Sequence, residues 1–532
     1  MSETPKKQSF LHGTALLAMA TAIVKVIGAL YKIPLNAIIG EQGFGYYSTA
    51  YEIYTLLLMI STAGLPVAMS RLIAEASSLE QYRRVRKVYV TARSIFLTLG
   101  LVGALLMTLF CKQLARFQEQ PDAWAAIGAL GPCCFLICLM STYRGFFQGQ
   151  GNMLPTSVSQ VIEAITKLVV GIAGALLVKF YVQNVSLAAG AAILGVTVSC
   201  LVSSFYLNHC FRKAYKQMPQ SSEDVASGKD IAKGLLSIAI PITIGSAGLQ
   251  LLTVLETKIY MTQLLKTLTQ DVADVQKGIY SMALTIFNMP CAFITPITIS
   301  IIPAITSQLT LGNTKGAKAT EESAARVSAL ISMPCAFGLA VLAEPVTRLL
   351  GGYSGEKLVL ATQLMSVLGV CIIFNSLVLL TTAIMQAHGH EKLPVVNMFV
   401  GGFVKLVAVF VLTGNPVIGI VGTPIGSLLC YLCITVLNLF TMGRVLKNPP
   451  AIIKNVFRSF AAAALMGAFA WGTWKGIQIL LGSTFSSLIS CAVPIAVGVV
   501  VYVITAVKFR AITRDDCLLL PKGEKIANLL HL

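Results

Sequence analysis

The chain has 532 residues, of which 56% are hydrophobic and only 12% are charged, and its mean hydropathy is +0.78. Because soluble domains carry about 25% charged residues, this composition excludes a soluble globular protein. The net charge of +18 fits membrane topology and attraction to anionic lipid, so nucleic acid is not a predicted partner.

Apolar runs of about 20 residues, each long enough to cross a bilayer, follow one another along nearly the whole chain. The predicted fold is therefore an all-α polytopic membrane protein with about 14 transmembrane helices. The predicted spans are 11–33, 45–70, 89–111, 123–147, 155–179, 185–210, 234–257, 278–307, 321–343, 358–387, 393–413, 417–443, 455–481 and 484–507.

Lysines and arginines are concentrated in the connections on the side of the two termini, which predicts that both termini are cytoplasmic. The same assignment places Lys32 and Lys277 outside the membrane and every aspartate in a loop or the tail. Five basic residues fall within predicted spans: Lys25, Arg93, Lys167, Arg326 and Lys405.

Two segments of the chain are alike at an offset of 233 residues, since Gly45-Tyr-Tyr-Ser48-Thr-Ala50 matches Gly278-Ile-Tyr-Ser281-Met-Ala283. A second match joins Gln148-Gly-Gln-Gly151 to Gln386-Ala-His-Gly389. Such matches indicate duplication, so we expect two pseudo-symmetric six-helix lobes around a central cavity, plus two extra C-terminal helices. Polar residues that we expect to line this cavity recur at the first offset: Ser48, Glu52, Thr55 and Thr62 with Ser281, Thr285, Asn288 and Thr295.

The predicted organisation has five parts. They are an N-lobe at 1–211, a cytoplasmic linker at 212–233, a C-lobe at 234–443, two extra spans at 444–507 and a cytoplasmic tail at 508–532. Glycines at helical spacing predict close helix packing at Gly100, Gly103, Gly171, Gly174, Gly401 and Gly402.

Lys25 is the first functional candidate, because a lysine at the centre of a membrane helix costs about 2.5–3.5 kcal/mol on insertion scales. It would meet an anionic headgroup in the cavity, or form an ion pair with Glu52 that only holds helices together. Glu52 is a candidate for that ion pair, for uptake of a coupling proton, or for both.

A second set of candidates lies on spans 5 and 11. Glu163 and Lys167 are four residues apart, which predicts an intrahelical ion pair or a contact with substrate. Lys405 occupies the matching position in the repeat but has Gly401 in place of the acid, so we expect it to be more available to cargo than Lys167. Arg93 and Arg326 lie near helix ends, where snorkelling to the interface accounts for them.

The sequence contains no catalytic constellation and no Walker A motif, so an enzyme is not predicted. Cys430-Tyr-Leu-Cys433 lacks a second pair, and His388-Gly-His390 offers only two ligands, so neither predicts a metal site. We expect no cofactor, although transport would be coupled to Na⁺, H⁺ or the membrane potential.

The opening motif, K-x-x-G-x-x-Y-x-x-P from Lys25 to Pro34, is followed by Gly40-Glu-Gln-Gly-Phe-Gly-Tyr-Tyr-Ser48. Together with Arg144-Gly-Phe-Phe-Gln-Gly149 and the C-terminal tail, it resembles the oligosaccharidyl-lipid flippases of the MOP superfamily. The resemblance is strongest to the branch that contains stage V sporulation protein B and the MurJ-type flippases.

This resemblance implies alternating access around a V-shaped cavity and a lipid-linked oligosaccharide as cargo, either a peptidoglycan precursor such as lipid II or another wall or spore intermediate. Lys25 matches one of the family's basic cavity positions, whereas Tyr31 and Thr285 stand where an arginine is aligned. In MurJ-like proteins, spans 13 and 14 form a groove for the lipid tail, and this chain has room for the same arrangement.

Two other classes of function compete with a flippase: a cation-coupled multidrug exporter of the related MATE class and a non-transporting scaffold for wall synthesis. About 14 spans and a lysine in the first disfavour the exporter, and duplicated polar stripes disfavour the scaffold. The expected partners are an anionic lipid-linked sugar, membrane lipids and cell-wall synthesis proteins. The protein is expected in the bacterial plasma membrane, with a monomer favoured.

Overall fold

The computed structural model of the protein describes residues 10–219, 227–481 and 487–511, and regular structure in these residues is helical throughout. Thirteen helices of this described part are long and apolar enough to cross a membrane. Because α1 contains the first predicted span and most of the second, this is consistent with the predicted total of about 14. The protein is a multi-pass α-helical membrane protein.

The helices follow in chain order as α1 (Phe10–Thr62), α2 (Leu65–Ser78), α3 (Tyr82–Leu109), α4 (Cys111–Phe117), α5 (Trp124–Gly149), α6 (Leu154–Tyr181), α7 (Val185–Gln217), α8 (Gly228–Leu264), α9 (Gln270–Thr310), α10 (Thr314–Val341), α11 (Ala343–Gly351), α12 (Gly355–Ala387), α13 (Lys392–Thr413), α14 (Gly422–Val445), α15 (Ile452–Leu481) and α16 (Ser487–Lys508). Short 3₁₀ turns lie at Pro121–Ala123 and Gly419–Val421.

The break within α1 falls at Gly40, where φ is 73° and ψ is 175°. A side chain would make this conformation costly, so glycine is the residue that lets the first two spans follow each other without a loop. Polar side chains cap the N-termini of some later helices. Asn184 accepts a hydrogen bond from the Leu187 N–H at 3.0 Å and caps α7, and Asn313 caps α10 in the same way.

The chain forms two compact units, Met1–Gly278 and Ile279–Leu532. The first contains α1 to α8 and the beginning of α9, because α8 packs against α1, α2 and α3. This division lies one span later than the boundary predicted between the lobes. The assignment of six spans to each lobe stays a prediction.

In the first unit, α7 packs against α5 and α6 at very short range. A Cβ atom built on Gly195 would lie 2.5 Å from the Cα atom of Gly171, so the backbones of α6 and α7 are in direct contact there. Close packing is confirmed at four of the predicted glycines: an added Cβ would lie 3.0 Å or less from a neighbouring helix at Gly100, Gly171, Gly174 and Gly401. At Gly103 an added Cβ would make only an ordinary contact of 3.6 Å. Such close contacts are typical of membrane helices.

In the second unit, α10 packs against α12 and α15, and α15 packs against α16. One apolar cluster joins these helices to α9 through Ile305, Met333, Ile384, Met466 and Tyr502. The two C-terminal helices are therefore part of the core of this unit rather than an addition to its surface.

The contact between α6 and α7 gives a stability prediction. Gly195→Ala should lower the free energy of unfolding by about 1–3 kcal/mol, because the added methyl group would overlap the backbone of α6. Gly245→Ala on α8 is the matched control, since nothing lies within 4 Å of its added Cβ. That change should be neutral or stabilise by up to about 1 kcal/mol. Thermal unfolding in detergent measures both, and equal midpoints would contradict the prediction.

Candidate functional site

A buried ion pair in the first unit joins α1 to α9. The Lys277 Nζ atom lies 3.2 Å from Glu52 Oε2 and 3.3 Å from Glu52 Oε1. The Lys277 side chain is fully buried and that of Glu52 is 19% exposed. The Thr257 hydroxyl of α8 donates a second hydrogen bond to Glu52, at 2.7 Å. Glu52 is thus held by two helices besides its own.

Lys277 lies within a helix rather than in the loop that the sequence analysis expected, because α9 begins at Gln270 and already contains it. Its placement outside the membrane stays a prediction. Glu52 therefore has a partner that the sequence analysis did not consider. Lys25 lies on α1, but its side chain is outside the described part of the structure, so the contact expected between Lys25 and Glu52 stays a prediction.

One turn before Lys277, the Asp274 carboxylate is completely buried. It accepts hydrogen bonds from the Tyr46 hydroxyl at 3.0 Å, the Gln120 amide at 2.9 Å and the Gln270 amide at 3.0 Å. The prediction that every aspartate lies in a loop or the tail is wrong here. The spacing of Asp274, Lys277 and Ser281 along one helical face was the signal in the sequence that α9 begins earlier.

A second ion pair, half-buried, joins α5 to α6. Arg144 Nη2 lies 3.0 Å from Glu163 Oε2, and Arg144 Nε donates to the Ser159 hydroxyl at 3.1 Å. The expected ion pair between Glu163 and Lys167 is therefore replaced by one with a neighbouring helix. The guanidinium group reaches Ser159 and Glu163 together because these residues are four apart on the face of α6 that meets α5.

Lys167 instead lies over an aromatic ring, with its Nζ atom 5.7 Å from the centroid of Tyr31. Tyr31 is fully buried, and its hydroxyl donates to the Ala192 carbonyl at 3.1 Å. The neighbouring Lys32 is half-buried on α1 and lies within electrostatic range of Lys167. In the described part of the chain neither lysine forms a salt bridge.

The hydroxyl and amide groups of the two polar stripes bond mainly to their own helices. Thr55 donates to the Tyr51 carbonyl at 2.7 Å. Thr285 donates to the Ser281 carbonyl at 3.0 Å and is only 7% exposed, as is Ser281. Asn288 is exposed and Ser48 is half-buried. Whether these residues line one cavity stays a prediction.

Lys405 is half-buried on α13 in the second unit. It lies within electrostatic range of Tyr431 on α14 and Cys371 on α12. Its surroundings thus differ from those of Lys167, although the two lysines occupy matching positions in the repeat.

The second unit also contains an apolar cavity of about 580 Å³. It is lined by α9, α10, α11, α15 and α16, with Met289, Leu339, Leu350, Met466 and Val499 among the lining residues. The C-terminal helices thus contribute one wall of a space that only apolar groups would fill.

The ion pair between Glu52 and Lys277 gives a second stability prediction. Lys277→Met should destabilise the protein by about 3–5 kcal/mol, because it leaves the Glu52 carboxylate without its cation. The double change Glu52→Gln with Lys277→Met should restore most of that loss. Thermal unfolding of both variants measures the difference, and a double variant no more stable than Lys277→Met would refute the coupling.

Comparisons with known proteins bear on this arrangement. Residues 10–308, more than half of the chain, match the family described as polysaccharide biosynthesis protein. Stage V sporulation protein B of Bacillus subtilis (strain 168) is 26% identical over 523 residues, covering 97% of this chain and 98% of the relative. Lipid II flippase MurJ of the same organism is 26% identical over 414 residues, covering 75% and 76% of the two chains.

Solved structures agree on the fold. Lipid II flippase MurJ in an inward closed conformation superimposes with a TM-score of 0.67 at 13% identity, covering 93% of this chain and 99% of that one. An inward-facing multidrug resistance MATE family transporter of the MOP superfamily gives 0.64 at 16% identity, with 80% and 98% covered. The resemblance in the motifs is thereby confirmed, and the chain belongs to the family described as polysaccharide biosynthesis protein.

Proposed function

We propose that this protein flips a lipid-linked oligosaccharide across the plasma membrane by alternating access. The observation that carries the proposal is the pair of half-buried lysines in the first unit, Lys32 and Lys167. Two cations that lie within electrostatic range of each other in a membrane helix bundle repel one another and are poorly solvated. Glu163 is the only acidic residue of α6, and it is already paired with Arg144. An anion bound between the two lysines would therefore remove this cost.

The phosphate groups that link sugar to lipid supply such an anion. A phosphate accepts hydrogen bonds from more than one ammonium group, and each bond is stronger in a site that excludes water. The name of one relative, Lipid II flippase MurJ, specifies a cargo of this chemistry for that protein. A cationic drug would be repelled by the same two lysines, which disfavours a multidrug exporter.

The apolar cavity of the second unit supports the lipid half of the proposal. Its volume of about 580 Å³ lies within the range of roughly 300–1,000 Å³ that is usual for ligand sites. A hydrocarbon chain would fill it without leaving a polar group unsatisfied. An amphiphilic cargo thus finds a cationic region in one unit and an apolar region in the other.

The cargo is a peptidoglycan precursor such as lipid II, or another intermediate of a cell-wall or spore polysaccharide. We further propose that both termini are cytoplasmic, that Na⁺, H⁺ or the membrane potential drives the cycle, and that the protein acts as a monomer, with cell-wall synthesis proteins as its partners. Complementation of a conditional flippase-deficient bacterium, combined with an assay of precursor accessibility outside the cell, tests the function itself. Failure to export any lipid-linked precursor there would refute it.

The lysine pair gives a transport prediction. Lys32→Gln with Lys167→Gln should lower the flipping rate at least about tenfold, since one charge-assisted bond to phosphate contributes about 1.5–3 kcal/mol. Lys179→Gln is the matched control, because Lys179 lies on the same helix α6 but is exposed. Its variant should transport like the wild type. Equal rates for the double variant and the wild type would remove the lysines from the proposed site.

Lys25 gives a separate prediction from its position in the first predicted span. Lys25→Ala should abolish transport while expression is retained. Lys25→Arg should keep part of the transport, because arginine retains the positive charge that the anionic cargo requires but differs from lysine in shape. Growth of the complemented strain and the amount of protein in its membranes are the measurements. If Lys25→Ala supports growth as well as the wild type, Lys25 is dispensable for transport.

A further inference from the structure

The turn between α12 and α13 has the same construction as the turn between α5 and α6. In each, a glycine with positive φ (Gly389, 78°; Gly151, 73°) donates its N–H to the carbonyl three residues earlier, at 3.0 Å. The next residue donates to the carbonyl five residues earlier, at 2.9 Å in both turns. The residue before the glycine differs: it is Gln150 in the first unit and His388 in the second. The backbone therefore does not require a histidine at this position.

His388 is directed at a buried acid. Its Nε2 atom lies 2.7 Å from Glu321 Oε1 on α10, and the side chains of Glu321 and His388 are 2% and 20% exposed. At the repeat offset of 233 residues, the counterpart of Glu321 is Val88 on α3, which is 1% exposed. The first unit thus places an apolar residue and a neutral amide where the second places two titratable groups. The architecture does not depend on the pair, so its presence in one unit calls for a separate explanation.

The charge state of this pair depends on one proton. With that proton, Glu321 and His388 together carry no net charge, and the hydrogen bond joins an imidazolium to a carboxylate. Without it, a nearly fully buried carboxylate faces a neutral ring, and burial of an uncompensated charge is costly. Histidine is the side chain that exchanges a proton near neutral pH.

Two charged residues of α10, Lys318 and Glu322, lie within electrostatic range of Glu321 and act on its charge in opposite directions. Both also bond to groups outside the pair, and other charged groups nearby are engaged elsewhere or reach solvent. On α10, Lys318 donates to the Asn448 side chain at 2.9 Å, and Glu322 accepts from the Ala451 N–H at 3.1 Å. From α9 the contact to this turn is neutral, since the Thr306 hydroxyl donates to the carbonyl of Ala387 at 3.2 Å. Arg326 of α10 bonds to Asn455 of α15. The remaining charged or titratable residues of the adjoining segments are half-buried or exposed: His390, Glu391, Lys392, Lys454, Arg458, Lys508 and Arg510.

We propose that Glu321 and His388 form a proton-binding site, and that the bound proton holds the α12–α13 turn against α10. The site lies at the end of the second unit that the distribution of basic residues predicts to be cytoplasmic. Loss of the proton weakens the hydrogen bond between His388 and Glu321, so α13 becomes less firmly attached to the rest of the unit. This inference does not depend on the identity of the cargo.

The repeat itself supplies the variants that test the proposal. His388→Gln, and the double change Glu321→Val with His388→Gln, install the residues that the first unit has at the same places. His390→Gln is the matched control, because His390 is the neighbouring histidine outside the pair. Thermal unfolding midpoints of the full-length chain in detergent are measured from about pH 5.5 to 8.5 at constant ionic strength.

On this proposal, loss of the proton leaves the Glu321 carboxylate uncompensated in the folded protein but not in the unfolded chain. The wild-type midpoint should therefore fall by about 2 °C more than that of the double variant between about pH 6 and 8. His390→Gln should keep the wild-type dependence, and His388→Gln should lose it. A wild-type dependence that survives in the double variant would overturn the proposal.

If a single variant unfolds too readily for thermal unfolding to be measured across the pH range, NMR spectroscopy provides a second measurement. The chain contains five histidines, so their ¹⁵N imidazole resonances can be followed individually with pH. The resonance that disappears in the double variant should titrate in the wild type and should shift its midpoint when Glu321 alone is changed to Gln. An unchanged midpoint in Glu321→Gln would show that the two side chains do not share a proton.

Discussion

The absence of water from the bilayer interior is the constraint on which the described structure depends. A charged side chain in a spanning helix must meet an opposite charge or a set of hydrogen-bonding groups, because hydrocarbon offers neither. Lys277 meets Glu52, and Asp274 meets three neutral donors. Arg144 meets Glu163. The two ion pairs and the bond from Tyr46 to Asp274 join different helices, so the charges that make the bundle costly to build also specify which helix faces meet.

Lys32 and Lys167 depart from this pattern within the part of the chain that the structure describes. The face of the Tyr31 ring offers Lys167 a weak cation–π contact, while Glu163, the acid one turn earlier on its helix, is paired with Arg144. Two lysines of this kind suit a protein that transports phosphate-linked cargo, because the cargo supplies the missing negative charge when it binds and removes it again on release. The proposed function therefore accounts for a feature that would otherwise only reduce stability.

The internal duplication that the sequence predicts would explain how the second unit acquired different chemistry on a similar backbone. The turns at Gly151 and Gly389 have matching hydrogen bonds, yet one carries a glutamine and the other a histidine that faces a buried glutamate. Helix packing also differs, because α15 and α16 pack on α10 and help to enclose an apolar cavity. A repeated scaffold tolerates such changes because its stability comes from the many small contacts between helices rather than from any one polar pair.

The sequence by itself determined the fold class, the approximate spans, the family and the glycines of close packing, because hydropathy, motifs and small-residue spacing are local properties of the chain. It did not determine the partners of the buried charges. Glu163 lies four residues from Lys167 but pairs with Arg144, and Glu52 pairs with Lys277, which the hydropathy pattern had placed outside the membrane. These pairings depend on how each helix is rotated against its neighbours. That rotation is set by backbone contacts such as Gly171 with Gly195, which exist only after the helices have packed.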